Sequence, residues 1–151
     1  MEVNGYTRHF HHVSVMWKNS AISLLVLLSA TPLVLSLSEE MQELANQLHS
    51  ACVEETGAQE SDIPKARDGV FSEDENFKCY IKCLLEQMAV IDDDGMIDVE
   101  AMISVLPEEL EEIAAPVMRK CGTVKGANAC ENAWLTHKCY YKENPEAYFL
   151  I

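Results

Sequence analysis

Cys79 and Cys83 lie four residues apart in the segment FKCYIKCLL and are the residues whose type and spacing most directly suggest chemistry. The chain has six cysteines, which are Cys52, Cys79, Cys83, Cys121, Cys130 and Cys139. No Cys-x-x-Cys occurs, although structural zinc sites and thioredoxin-like redox pairs use that spacing. An even number of cysteines behind a secretory signal is instead typical of a disulfide framework. The sequence therefore predicts three disulfides and no metal site.

Candidates for catalysis are few. His49 and His137 are the only histidines after residue 36, and neither belongs to a G-x-S-x-G or H-E-x-x-H motif. If every cysteine is in a disulfide, none is left as a nucleophile. A small secreted hydrolase is therefore disfavoured, and we expect no enzyme activity, no catalytic residue and no cofactor. His137 suits either a hydrogen bond to a ligand or a satisfied position in the core.

The acidic segment Asp92–Asp98 resembles a calcium-binding loop. If Gly95 took the glycine position of an EF-hand, the first and last ligand positions would fall on Val90 and Ala101. Neither residue has a carboxylate. We interpret the segment as a solvated acidic turn, with Asp98 capping the helix that follows.

The N-terminal segment differs from the rest of the chain. Ala21–Leu35 contains no charged residue, follows a basic position and ends near small residues, which is typical of a secretory signal. A membrane anchor is disfavoured because a spanning helix needs about 20 apolar residues and Pro32 interrupts this run. We interpret residues 1–36 as an N-terminal extension and signal peptide, with Met16 as the better start, and residues 37–151 as one mature domain.

The mature domain is strongly acidic. The whole chain has a net charge of −14, and removal of Glu2, Arg8 and Lys18 with the signal leaves −15. A protein of this charge is repelled by nucleic acid and by anionic lipid. We therefore expect no nucleic-acid partner and no membrane insertion after signal removal.

The elements that must position these residues are helices. Apolar residues recur at helical spacing along five stretches, which are Met41–Cys52, Phe77–Met88, Val99–Leu106, Leu110–Cys121 and Cys130–His137. A looser stretch, 59–67, contains Pro64, and no long alternating strand pattern competes. The sequence predicts an all-α fold, a compact bundle of about six short helices.

Helix-start and helix-stop residues support these stretches. Ser38 is a candidate cap for the first helix, and Ser72 with Glu75 forms a capping box before the next long helix. Gly122 is placed to end the helix before it. Asn128 with Glu131 is placed to cap the last helix.

The helical placement limits how Cys79 and Cys83 can pair. Residues four apart on a helix have Cβ atoms about 5–6 Å apart, whereas a disulfide needs about 3.8 Å. The two cysteines therefore cannot join each other without distortion, and each must reach another element. Fifteen pairings of six cysteines are possible, and the sequence alone leaves the partners open.

The cysteine gaps of 26, 3, 37, 8 and 8 residues, in an acidic helical chain, resemble those of the insect odorant-binding proteins. The phrases FSEDENFKCYIKCL, VIDDDGMIDVE and HKCYYKENPEAYFLI are similar to the subgroup whose C-terminal tail enters the pocket. The resemblance implies six helices around an apolar cavity. It also implies the disulfides Cys52–Cys83, Cys79–Cys130 and Cys121–Cys139.

The resemblance further implies a set of ligand-binding residues. They are Leu84, Met88, Val99, Met102, Leu106, Leu110, Ala114, Val117, Met118, His137, Tyr140, Tyr148, Phe149 and Leu150. Methionines suit such a site because the thioether side chain is flexible and polarizable. Without the resemblance, an apolar stripe at helical spacing is more often an ordinary core than the wall of a ligand site.

The resemblance also implies a role for the apolar C-terminal tail, which would fray unless it docked on the protein. A docked terminal carboxylate needs a hydrogen-bond donor. His49 and Tyr80 are the implied donors for Ile151, with Asp68 nearby. These residues would form a pH latch, which loosens when the carboxylate is protonated or His49 rearranges.

The function implied is an extracellular carrier of small hydrophobic volatile molecules, odorants or pheromones, in sensillar lymph. A small hydrophobic molecule is then the main partner, an olfactory receptor is a second candidate, and the carrier would be a monomer or weak homodimer. The alternative is a saposin-like lipid-interacting protein, which is also helical with six cysteines. That class needs apolar or basic surface for lipid, which the acidic chain does not favour.

Overall fold

The computed structural model describes residues 39–151. The expected signal segment, residues 1–36, and the expected cap Ser38 lie outside the described residues. The described part contains six helices, which are α1 (Glu39–Thr56), α2 (Asp62–Arg67), α3 (Glu75–Gln87), α4 (Val99–Ser104), α5 (Glu108–Cys121) and α6 (Ala129–Glu143). Its β-structure is one isolated antiparallel bridge between Ile91 and Ile97. The prediction of an all-α bundle of short helices is confirmed.

The predicted capping box of α3 is wrong. Asp74, not Ser72, is the N-cap, and its carboxylate accepts hydrogen bonds from the backbone N–H groups of Asn76 and Phe77 at 3.0 and 3.3 Å. A carboxylate satisfies two free N–H groups here and also stabilises the positive end of the helix dipole. The Ser72 hydroxyl instead accepts a hydrogen bond from the backbone N–H of Asp74 at 3.3 Å.

The other predicted boundaries agree with the structure. Asp98 accepts a hydrogen bond from the Ala101 N–H at 2.9 Å at the start of α4. Asn128 accepts one from the Glu131 N–H at 2.9 Å at the start of α6. Gly122 ends α5 with a φ of 54°, a left-handed conformation that favours glycine.

The stretch that we expected to be loose contains a short helix, α2. Pro64 lies in its first turn, where backbone N–H groups have no partner within the helix. The missing N–H of proline therefore costs nothing there, and the proline does not break the helix. Ile63 and Ala66 anchor α2 because both are buried in the core.

Helix α3 is the centre of the fold. Phe77, Tyr80, Ile81 and Leu85 are almost completely buried, and α3 packs against α6 on one side and α1 on another. The six cysteines form the disulfides Cys52–Cys83, Cys79–Cys130 and Cys121–Cys139, with Cα atoms 5.7, 4.5 and 6.0 Å apart. They tie α3 to both α1 and α6, and α5 to α6, which is the pairing that the resemblance implied.

The acidic segment is a turn inside the Ile91–Ile97 bridge. The Asp92 carboxylate accepts a hydrogen bond from the Met96 N–H at 2.7 Å, so this carboxylate stabilises the turn itself. No group of three or more His, Cys, Asp or Glu side chains among residues 39–151 is placed to hold a metal ion. Within the same residues, no helix is long and apolar enough to cross a membrane.

Candidate ligand-binding cavity

A cavity of about 370 Å³ lies among α1, the C-terminal half of α3, α4, α5, α6 and the C-terminal tail, residues 144–151. All but one of the ligand-binding residues that the resemblance implied line it, namely Leu84, Met88, Met102, Leu106, Leu110, Ala114, Val117, Met118, His137, Tyr140, Tyr148, Phe149 and Leu150. The exception is Val99, the first residue of α4, which packs against the core instead. The structure thus brings together residues from four helices and the tail.

One side of the cavity comes from α1 and was missing from the expected set. Met41, Leu44, Ala45 and Leu48 line the cavity and share one face of the helix. The signal for them was the apolar stripe, which is typical of both a core and a cavity wall. The exposure of the side chains distinguishes a packed core from a cavity wall. Leu44 is 56% exposed, so it is not packed in the core.

Other lining residues were also outside the expected set. They are Leu85, Gln87, Val105, Pro107, Ile113, Asn144, Ala147 and Ile151. Several of them follow the end of a helix, where helical periodicity stops predicting which way a side chain lies.

The cavity opens to solvent through an apolar mouth. Leu44, Val105, Ile113 and Phe149 each line the cavity and are each at least 44% exposed. They come from α1, the end of α4, α5 and the tail. An apolar molecule leaving water therefore meets apolar side chains before it reaches the enclosed part of the cavity.

Polar side chains of α6 and the tail contribute to the cavity wall. The Nδ1 atom of His137 lies 3.0 Å from the Tyr148 hydroxyl, whereas its Nε2 atom is buried without a hydrogen-bond partner. Burial lowers the pKa of His137 to about 4, so the ring is neutral at pH 7. The Tyr140 hydroxyl donates to the Met102 sulfur at 3.8 Å, and burial raises the pKa of Tyr140 to about 12.

The tail is docked on the protein through Tyr148 and Leu150. The Tyr148 ring lies 5.7 Å from the Phe71 ring and 5.6 Å from the Tyr141 ring, and Leu150 is only 4% exposed. The Arg67 Nε group donates a hydrogen bond to the Leu150 carbonyl at 2.6 Å. The tail therefore forms part of the cavity wall.

Three of the four residues expected at the latch lie together. The Tyr80 hydroxyl donates to an oxygen of Ile151, the last residue of this sequence, and also lies 2.8 Å from His49 Nδ1. The Nε2 atom of His49 lies 3.0 Å from a carboxylate oxygen of Glu60. Glu60 was not expected, since it belongs to the loop between α1 and α2.

Asp68 does not join this group. It follows the last residue of α2, is exposed, and makes no hydrogen bond or ion pair with the tail among the described residues. Its neighbour Arg67 makes the contact instead, because the longer arginine side chain reaches the Leu150 carbonyl from the end of the helix.

The fold and the cavity define a class: a small helical binding protein, held by three disulfides, that encloses an apolar site. The sequence profile described as the PBP/GOBP family matches residues 35–143, and the chain belongs to that family. Among curated relatives, it is 33% identical to general odorant-binding protein 56a of Drosophila melanogaster over 135 residues, which are 84% of this chain and 94% of the relative. It is 32% identical to general odorant-binding protein 69a of the same species over 65% of this chain and 67% of the relative.

Solved structures of odorant-binding proteins are also similar to this chain. Odorant binding protein 4 of Chrysopa pallens matches with a TM-score of 0.68 and 32% identity over 77% of this chain and 100% of that one. Odorant binding protein 7 of Anopheles gambiae matches with a TM-score of 0.66 and 28% identity over 74% of this chain and 91% of that one. The identification as an odorant-binding protein of the insect type is confirmed. The family consists of carriers of small hydrophobic ligands and not of enzymes.

Proposed function

We propose that residues 37–151 form an extracellular carrier that holds one small hydrophobic volatile molecule, an odorant or a pheromone, in the cavity. The observation that carries the proposal is an apolar cavity of about 370 Å³ that the chain closes in part with its own tail. Small-molecule sites in proteins typically measure about 300–1,000 Å³ and combine apolar walls with a few polar groups. Residues 1–36 act as the secretory signal in this proposal, and the carrier works in sensillar lymph as a monomer or weak homodimer that delivers its cargo to an olfactory receptor.

The expected affinity is micromolar. Burial of about 300 Å² of ligand surface at about 25 cal/mol per Å² gives about 7.5 kcal/mol before the costs of association. Micromolar binding corresponds to about 8.2 kcal/mol, which one or two hydrogen bonds would allow. The similar Anopheles gambiae protein was solved in complex with an azo compound, which supports the proposal that this chain also binds an organic ligand.

We also propose that tail docking depends on pH through His49, Tyr80, Glu60 and Ile151. A carboxylate only accepts hydrogen bonds, so the contact between Glu60 and His49 Nε2 requires a hydrogen on Nε2. Tyr80 uses its only hydrogen on Ile151, so its contact with His49 Nδ1 requires a hydrogen on Nδ1. All three hydrogen bonds form together only when His49 is protonated.

The two titrating groups of the latch therefore act in opposite directions. A neutral His49 competes with Ile151 for the Tyr80 hydrogen, so protonation of His49 strengthens tail docking. Protonation of the Ile151 carboxylate removes the charged acceptor and weakens docking. A carboxyl group is the more acidic of these two kinds of group, so release of the tail is expected at the acid end of the pH range tested.

The test is displacement of a fluorescent apolar probe from the refolded, oxidised mature chain by volatile alcohols, esters and aldehydes at pH 8, 5.5 and 3.5. We expect micromolar displacement that is as strong or stronger at pH 5.5 than at pH 8, and weaker at pH 3.5. Deletion of Tyr148–Ile151 should abolish this pH dependence, whereas an unchanged dependence would contradict the latch. Circular dichroism at each pH verifies that the protein is folded.

The apolar mouth is the one feature that favours the saposin-like alternative, since Leu44 and Phe149 are exposed. Leakage of anionic and neutral vesicles measures this activity directly. Leakage without probe uptake would favour the alternative, and probe uptake without leakage would favour the carrier.

A further inference from the structure

Two of the helices that form the apolar mouth of the cavity are strongly acidic beside it. Leu44 of α1 and Ile113 of α5 are exposed residues of the mouth. Residues 39–43 of α1 include three glutamates, residues 108–112 of α5 include four, and neither segment contains a lysine or an arginine. All of these glutamates are exposed, and none forms an ion pair within the part of the chain that the structure describes.

Helical spacing places two of these glutamates next to the mouth. Glu40 precedes Leu44 by four residues, and Glu109 precedes Ile113 by four. Residues four apart are neighbours on one face of a helix, so the two carboxylates flank side chains that an entering ligand meets first. The positive end of the α5 dipole also lies here, but it corresponds to only about half a charge. The four glutamates of residues 108–112 outweigh it, and the electrostatic potential at the mouth is negative.

The inside of the cavity offers an anion no compensation. No Lys or Arg side chain of residues 39–151 lines it. His137 lines it, but burial lowers the pKa of His137 to about 4, so the ring is neutral at pH 7. Arg67 contacts the tail from outside the lining, where its Nε group donates to the Leu150 carbonyl. A carboxylate that entered this site would lose its hydration without gaining a charged partner, which is costly.

We propose that the carrier selects ligands by charge. Among molecules with the same apolar chain, it binds the neutral one best, a protonated amine less tightly, and the anion of a carboxylic acid least. Both ions lose hydration on entering the cavity, so the neutral molecule is preferred to either. The glutamates at the mouth separate the two ions, because they attract the ammonium group and repel the carboxylate. This inference rests on the carrier function proposed above and names the ligand class of that same cavity.

The binding test compares decanol, decylamine and decanoate at pH 7, which share one chain and differ in the charge of the head group. Each ligand displaces a neutral fluorescent probe from the oxidised mature chain, at concentrations below those at which the ligands aggregate. At low salt, decanol should bind about a hundredfold and decylamine about tenfold more tightly than decanoate. In 1 M sodium chloride the Debye length is about 3 Å, so the ratio of amine to acid affinity should fall to about one. The preference for decanol should persist, because salt does not screen the loss of hydration.

Two double variants test where the charge acts. Glu40→Gln combined with Glu109→Gln removes two negative charges at the mouth, and the ratio of amine to acid affinity should fall about threefold. Glu54→Gln combined with Glu73→Gln is the matched control, because it removes the same charge elsewhere. Glu54 lies about 15 Å beyond Leu44 along α1, and Glu73 precedes α3, of which only the C-terminal half lines the cavity. The control should keep the wild-type ratio.

A second measurement needs no variant. Decanoic acid labelled with carbon-13 at its carboxyl carbon reports its own ionisation in NMR spectra. A hundredfold preference for the neutral form means that the bound acid should titrate at a pH about two higher than the free acid. A bound acid that titrates at the same pH as the free acid, or lower, would overturn the proposal.

The outcomes separate this inference from the carrier function. If decanol and decanoate bind the folded protein equally well, the carrier function stands and charge selection is wrong. If the ratio of amine to acid affinity does not respond to salt, or falls equally in both double variants, the glutamates at the mouth do not select the ligand. If the folded protein binds neither the probe nor any of the three ligands, both proposals are wrong.

Discussion

The hydroxyl of Tyr148 lies 3.0 Å from Nδ1 of His137 and joins the C-terminal tail to the last helix. The contact links residues only eleven positions apart, so the chain turns back immediately after α6 ends. The Tyr148 ring also packs against Phe71, before α3, which fixes the turn from the other side. The tail is consequently both a cavity wall and the element that orients the buried histidine.

Removal of the Tyr80 hydroxyl should undock the end of the tail. In Tyr80→Phe, Ile151 loses its donor, and a hydrogen bond of this kind contributes about 0.5–1.5 kcal/mol. Cleavage within the tail by a protease of broad specificity should then be about two- to tenfold faster than in the wild-type protein. Tyr141→Phe is the matched control, since Tyr141 makes no contact with Ile151. Equal digestion rates of Tyr80→Phe and wild type would show that Tyr80 does not hold the tail.

Stability should fall as the pH falls from about 6.5 to about 4. Burial lowers the pKa of His137 from its ordinary value of 6.5 to about 4. Between these values the unfolded chain binds a proton that the folded chain does not, so protons favour unfolding. The full shift corresponds to about 3 kcal/mol. Urea unfolding at pH 7 and pH 4.5 should therefore show a smaller pH effect in His137→Phe than in the wild type.

The control for this experiment is His49→Asn, which leaves His137 in place and should retain its contribution to the pH effect. Identical pH slopes in wild type and His137→Phe would mean that His137 is not the buried neutral group that the structure describes.

Ala89→Gly should stabilise the fold. Ala89 has a φ of 56° just after α3, where its N–H bonds the Glu86 carbonyl and the Val90 N–H bonds the Leu85 carbonyl. Glycine adopts this left-handed conformation without the strain of about 1–2 kcal/mol that a Cβ brings, although it loses up to about 1 kcal/mol of chain entropy. We expect a net gain of about 0.5–1 kcal/mol in the free energy of unfolding by urea.

Ala51→Gly makes the same chemical change at an exposed site inside α1, where the backbone is right-handed, and is the matched control. It should destabilise by about 1 kcal/mol. The two substitutions should therefore have opposite signs, and a loss of stability in Ala89→Gly would contradict the strain at that position.

Gly95→Ala should destabilise far more than Gly122→Ala. Both glycines have positive φ, but a Cβ on Gly95 would lie 2.6 Å from the Cα atom of Ala129, at the start of α6. A Cβ on Gly122 would meet nothing within 4 Å. Gly122→Ala should therefore cost only the conformational strain of about 1–2 kcal/mol, and Gly95→Ala should cost at least about 1–3 kcal/mol more. Comparable losses in urea unfolding would show that the loop and α6 can move apart.

The sequence alone predicted the helices because helical periodicity and capping are local properties. Asp98 and Asn128 cap the helices that follow them, as expected from their positions. It also predicted that Cys79 and Cys83 reach different elements, because helix geometry fixes their separation. The exceptions were also local: Asp74 takes the cap expected of Ser72, and the stretch around Pro64 that was expected to be loose contains α2.

The expected cavity wall came from the family resemblance and not from periodicity. The stripe of Met41, Leu44 and Leu48 was visible in the sequence, but periodicity could not tell a packed face from a cavity wall. A cavity exists where several elements fail to fill the space between them, and that depends on their relative positions. For the same reason, only the tertiary structure shows that Arg67 and not Asp68 holds the tail, and that Nε2 of His137 is left without a partner.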